Sequence, residues 1–154
     1  MNAISYLIEE HKSHRALLEK IGSDKSLFST FREELIHHVH MEEVILYPGL
    51  LEVPELEKIV REAWKEHNLI MGLIQEMDDE TLSEKIWESK FAILKKLILL
   101  HLDEEEEKIF PLVRALASEE VLKDLGQKMI VQKIVTPTED IIYPEVPGSH
   151  QLRS

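Results

Sequence analysis

The sequence predicts an all-α protein: an up-down-up-down four-helix bundle with a short fifth helix and a non-helical C-terminal tail. Three observations carry this. Four stretches of roughly 20 to 26 residues place apolar side chains at helical spacing, Gly, Pro or paired Asp residues separate them, and the second half repeats the first. Residues 1–135 are expected to form the bundle with its added helix, and residues 136–154 a proline-containing tail.

The first helix spans residues 2–21, with Ile4, Leu7, Ile8, His11, His14, Leu18 and Ile21 on one stripe, and stops at Gly22. A second runs from about Asp24 to Tyr47 and is expected to end at Pro48-Gly49. Pro54 opens the third, whose stripe holds Val60, Ala63, Trp64, His67, Ile70, Met71 and Ile74. Asp78-Asp79 leads out of it, and Thr81-x-x-Glu84 reads as a capping box for a fourth helix. That helix passes through His101 and reaches the Pro111 region. The fifth spans Ser118 to about Ile134 and covers one side or end of the bundle. From Thr136 onward Pro137, Pro144 and Pro147 surround an apolar knot, Ile141-Ile142-Tyr143. This tail could clip onto its own bundle or onto a second copy, making a homodimer.

A chain of 154 residues, 44% hydrophobic, suits one domain with a sizeable core. The absence of cysteine excludes disulfides, iron–sulfur clusters and thiolate zinc sites. Met1 to Lys12 lacks the basic-then-apolar pattern of a signal peptide, and Leu97-Ile98-Leu99-Leu100 is far too short to span a membrane. A soluble, cytoplasmic protein is expected. The net charge of −12 argues against nucleic acid or anionic lipid as a partner.

Two segments are one segment written twice. His38-Val39-His40-Met41-Glu42-Glu43-Val44-Ile45-Leu46-Tyr47-Pro48 and His101-Leu102-Asp103-Glu104-Glu105-Glu106-Glu107-Lys108-Ile109-Phe110-Pro111 share a His, a Glu-Glu pair starting four residues later, then an aromatic residue and proline. At about 100° per residue, His38/Glu42 and His101/Glu105 each share a face, and that face is the apolar stripe. Phe28, Phe31 and Leu35 surround the first pair; Leu94, Ile98 and Ile109 surround the second. A buried carboxylate without a counter-charge is costly, and apart from Lys108 no basic residue lies in register, so a metal ion is the economical partner.

The repeat extends to the preceding helices. Glu10-His11 corresponds to Glu66-His67, with Leu17-Leu18 matching Leu73-Ile74. Two such hairpins related by a pseudo-twofold axis bring four histidines and two glutamates together, a set that suits two ions bridged by carboxylates.

These residues, over roughly residues 3 to 115, resemble the hemerythrin-like family of His-His-Glu cation-binding domains. The resemblance implies a four-helix bundle holding a non-haem pair of iron ions bridged by carboxylates and oxygen. Its ligands would be His11, His38, Glu42, His67, His101 and Glu105. Some members use a carboxylate five residues after the fourth-helix histidine, which makes Glu106 an alternative. The oxygen-carrying members have a further histidine where this chain has Met71. The set therefore resembles members that sense iron, oxygen or redox state, or that repair iron centres.

Other residues read differently. Glu43 and Glu106 lie about 100° from the two glutamates and suit partners of ligands or helix flanks. His14, at the edge of the first stripe, is an extra ligand or a partner to one. His37 and His40, about 100° and 160° off the midline, suit solvent or a flank. A helix splays the Asp103–Glu107 run around its axis, against a calcium site, and Met71 reads as core filling. A ferritin-type arrangement fails because Glu34-x-x-His37 has no match on the fourth helix, where Ile98 precedes His101.

Two functions follow as expectations: a sensing module whose occupancy or oxidation state is reported through helix packing or the tail, or a di-iron oxidoreductase acting on peroxide, oxygen or nitric oxide. Either needs a small diatomic or peroxide ligand at the centre. Zinc or manganese would also suit imidazole and carboxylate.

Overall fold

The computed structural model describes residues 1–22 and 24–141, and every regular element among them is helical. Helix α1 (Ala3–Ile21) begins where the Asn2 side chain accepts the Ser5 backbone N–H at 2.8 Å. It ends at Gly22, whose φ of +48° is a conformation that a side chain would resist. Helix α2 (Lys25–Met41) is capped by Asp24, which accepts the Ser26 N–H at 3.0 Å. Helix α4 (Pro54–Met77) opens on its proline, whose missing N–H costs nothing in the first turn. Helix α5 (Glu84–Glu104) is capped by Ser83.

That cap corrects the expected Thr81 capping box. Thr81 gives both its backbone N–H and its hydroxyl to Asp79, at 2.9 and 2.6 Å. With Thr81 held in that turn, Ser83 is the hydroxyl that meets the free N–H of Ile86.

The prolines of the repeated segment do not end their helices. Each is preceded by a wider π turn, Glu42–Leu46 and Glu105–Ile109, after which the helix resumes as α3 (Tyr47–Leu50) and α6 (Phe110–Leu116). In the π turn the Tyr47 N–H reaches back to the Glu42 carbonyl, and the Phe110 N–H to that of Glu105. The step from four-residue to five-residue pairing leaves a carbonyl without its usual donor. A proline there removes an N–H that has no obligatory partner, so helix survives it.

Two apolar clusters fill the bundle. One gathers Ile4, Leu7, Leu46, Val60, Trp64 and Phe110; the other Leu18, Phe31, Leu35, Ile74, Trp87 and Ile98. α1 and α4 pass from the first cluster to the second, and α2 and α5 return, so successive long helices alternate in direction. Each helix crosses between the clusters at its histidine. The buried polar residues therefore form a layer sealed by hydrocarbon on both sides.

Helix α7 (Glu119–Val135), capped by Ser118, packs on α1 and α2. Gly126 makes this possible: a Cβ there would collide with the Met1 carbonyl and the Ala3 nitrogen. Beyond it, Thr138–Asp140 form one 3-10 turn within the stretch expected to be non-helical. Ile142, Tyr143, Pro144 and Pro147 lie outside the described residues.

Candidate metal centre

All six expected ligands are buried and converge in the sealed layer. His11, His38, Glu42 and Glu105 form one group able to hold a cation, and Glu42, His67 and His101 form another. Within each histidine pair the Nε2 atoms face each other, at 3.2 Å for His11 and His38 and 2.9 Å for His67 and His101. Glu42 Oε1 lies between the two pairs, 3.3 Å from His38 Nε2 and 3.2 Å from His67 Nε2. Glu105 Oε1 spans the other diagonal, 3.3 Å from His11 Nε2 and 3.5 Å from His101 Nε2.

The π turns help to set this geometry. Both glutamates stand at the first position of a π turn, where the widened backbone aims the side chain inward and carries its Glu neighbour round to an adjacent helix. Glu43 thereby meets His67 Nδ1 at 2.8 Å, and Glu106 meets His11 Nδ1 at 2.8 Å. The other two histidines are held by the residue preceding a histidine. Glu10 binds His38 Nδ1 at 2.9 Å and Glu66 binds His101 Nδ1 at 2.7 Å.

Four of the six ligand candidates thus come from a dipeptide whose other member steadies a histidine of a neighbouring helix: Glu10-His11, Glu42-Glu43, Glu66-His67 and Glu105-Glu106. Sequence reasoning missed Glu10 and Glu66, although their signal was present in the repeated Glu-His pair.

The donor set fits a metal. A carboxylate on each Nδ1 fixes an N–H there and leaves Nε2 as a lone pair pointing into the layer. Four lone pairs and two carboxylates then crowd together, and no oxygen of Glu42, nor Glu105 Oε1, has a hydrogen-bond partner. Such a cluster demands positive charge. The metal-free protein answers with protons. Burial pushes the His67 imidazole down, but Glu42 and Glu43 outweigh it and bring its pKa to about 9. His38 is likewise raised, against burial, chiefly by Glu42, while Glu42 is held low, against burial, chiefly by His38.

His14 is buried but stands outside both metal groups, its ring edge-on to His38 with centroids 5.0 Å apart. Burial, and next the His38 charge, lower its pKa to about 3. His40 is buried rather than exposed, because α7 covers that face and Gln132 lies 3.1 Å from its Nε2. His37 meets Thr138 on the same side at 3.0 Å. Of the acidic run, Asp103 pairs outward with Arg15 at 2.9 Å, and only Glu105 and Glu106 turn to the centre. Met71 is half-buried against the second apolar cluster.

The family model described as hemerythrin HHE cation binding domain matches residues 2–113. It takes in all six ligand candidates and their four carboxylate partners and stops before α7. Neither the curated proteins nor the solved structures yield a match.

Proposed function

The chain belongs to the hemerythrin HHE cation-binding domain family, and from that premise we propose that it binds two iron ions and senses or handles oxygen, iron or redox state. His11 and His38 would hold one ion, His67 and His101 the other, with Glu42 and Glu105 shared between them. The observation that carries this reading is the placing of one unpartnered Glu42 oxygen 3.3 and 3.2 Å from histidines of opposite pairs. A mononuclear site has no use for that bridge.

Bound iron would supply one-electron redox chemistry and a place for a diatomic or peroxide ligand. The chain's own residues do the rest. Four carboxylates lock the imidazole orientations, Tyr47 holds Glu105, and the two apolar clusters exclude bulk water.

A sensing role is supported by α7, which lies outside the family match. Lys133 on α7 pairs with Glu10 Oε2 at 3.0 Å, while Glu10 Oε1 holds His38. A change at that ligand therefore bears directly on a contact that docks the helix.

The enzymatic alternative draws on one feature: a cavity of about 310 Å³ lined by Tyr6, Glu10, Ser13, His14, Glu34 and Lys133, which brings open space beside the His38 pair. Repeated turnover of peroxide or nitric oxide by iron-loaded protein would favour it over sensing.

The deciding measurement is metal analysis with an absorption spectrum on protein purified without oxygen and then exposed to air. Two irons per chain with near-ultraviolet charge-transfer bands are expected. A single, spectroscopically silent zinc would overturn the reading.

A further inference from the structure

Each histidine pair has two carboxylates behind it, one on each Nδ1, so any difference between the two pairs stands out against an internal control. The difference lies one step further out.

Behind the His11/His38 pair, both carboxylates are matched by cations. Arg15 Nη1 lies 2.7 Å from Glu106 Oε2, and Lys133 Nζ lies 3.0 Å from Glu10 Oε2. Arg15 also meets Asp103, but that carboxylate is 57% exposed and largely answered by water.

Behind the His67/His101 pair, neither carboxylate has a cation among the described residues. Glu43 is 2% exposed and its Oε1 has no hydrogen-bond partner at all. Glu66 has another carboxylate, Glu104, as its neighbour. Lys108 acts on Glu104 and makes no ion pair with Glu66 or Glu43. The cause is legible in the sequence. Arg15 stands four residues after His11, whereas the residue four after His67 is Met71. Lys133 belongs to α7, which packs on α1 and α2 and so serves only Glu10.

A carboxylate on Nδ1 strengthens the imidazole as a donor and adds negative potential at the ion, and a cation on that carboxylate cancels part of both effects. The shared glutamates lean the other way, but only slightly: Glu42 Oε1 is nearly equidistant from His38 and His67, while Glu105 Oε1 is 3.3 Å from His11 and 3.5 Å from His101 and groups with the first pair.

Resting on the two-ion reading above, we infer that the two positions are unequal: the His67/His101 position would take the first divalent ion, because Arg15 and Lys133 neutralise the carboxylates behind the other position. Arg15 and Lys133 are thus positioning residues that set the order of filling.

The experiment is titration of the metal-free full-length chain with Co²⁺, followed by d–d absorption and calorimetry. Two steps separated by about ten-fold or more in affinity are expected, from the usual worth of a ligand's hydrogen-bond partner. His101→Ala should abolish the tighter step and His38→Ala the weaker. The double variant Arg15→Met, Lys133→Met should tighten the weaker step until the two merge. Arg15→Lys, which keeps the charge, should leave the order intact. Met71→Arg transplants the first half's cation into the second and should weaken the tighter step. Arg15 and Lys133 are 31% and 41% exposed, so their loss leaves the core untouched. Two equal steps, a tighter step that disappears with His38→Ala, or a double variant with unchanged separation would each overturn the inference while leaving the two-ion reading intact. Uptake of a single ion would overturn both.

Discussion

Tyr47 donates its hydroxyl to Glu105 Oε2 at 2.6 Å, tying the aromatic residue of one repeated segment to the central carboxylate of the other. The reciprocal bond does not exist, because the residue matching Tyr47 is Phe110 and both oxygens of Glu42 are left without donors. Both rings stack on a histidine, Tyr47 on His67 with centroids 5.3 Å apart and Phe110 on His11 at 5.6 Å. Only the hydroxyl distinguishes them.

Tyr47→Phe should therefore destabilise the metal-free protein by about 1–3 kcal/mol, the usual cost of stranding a buried acceptor. The loss should shrink in the loaded protein, where a cation meets Glu105 instead. Urea denaturation with and without Zn²⁺ measures both; equal losses would mean that Glu105 does not reach the ion.

Replacing Glu10 or Glu66 by Gln keeps the size of the side chain but removes its charge from His38 or His101. Metal affinity should fall about 10- to 100-fold in each case. Fluorescence competition against a zinc chelator reads this directly. An unchanged affinity for Glu66→Gln would show that the imidazole is held well enough by packing alone.

Metal should raise the melting temperature, by an amount equivalent to about 2.7 kcal/mol at one hundred times the dissociation constant. The pH dependence of the metal-free protein has a definite sign. His67 has a folded pKa of about 9, above its ordinary 6.5, so its contribution is complete below the lower value and is lost as pH rises through the higher one. The depressed pKa of Glu42 acts in the acidic range and leaves this window unchanged. Metal-free protein should therefore lose stability between about pH 6.5 and pH 9, and loaded protein should lose less, because a metal ion replaces the proton. Thermal melts across that range test the contrast, and parallel curves would count against it.

Gly126→Val should lift α7 from the N-terminus of α1, since a side chain there meets backbone atoms that cannot swing aside. Separating Lys133 from Glu10 in this way should increase hydrogen exchange in α7 while the metal layer stays protected. Unaltered exchange in α7 would show that the helix tolerates the displacement.

The sequence by itself determined the helical class, the family and the six residues that meet in the buried layer. Each of these is written in local spacing. A histidine and a glutamate four residues apart, set in an apolar stripe and repeated, must face a common core whatever the details of packing. The Glu10-His11 and Glu66-His67 pairs were equally visible, but their glutamates act on histidines of neighbouring helices, at a register that no single helix contains.

Tertiary structure alone decided what depends on two elements meeting. It turned His40 from an outward residue into a buried one by laying α7 over that face. It carried the chain through Pro48 and Pro111, because each follows a π turn whose shift in pairing already leaves a carbonyl without a donor. By docking α7 on α1 and α2 it also set Lys133 against Glu10, behind the pair whose other carboxylate Arg15 of α1 already meets. Hydrophobic periodicity fixes which face of a helix turns inward. Which charge waits there is fixed only when the helices pack.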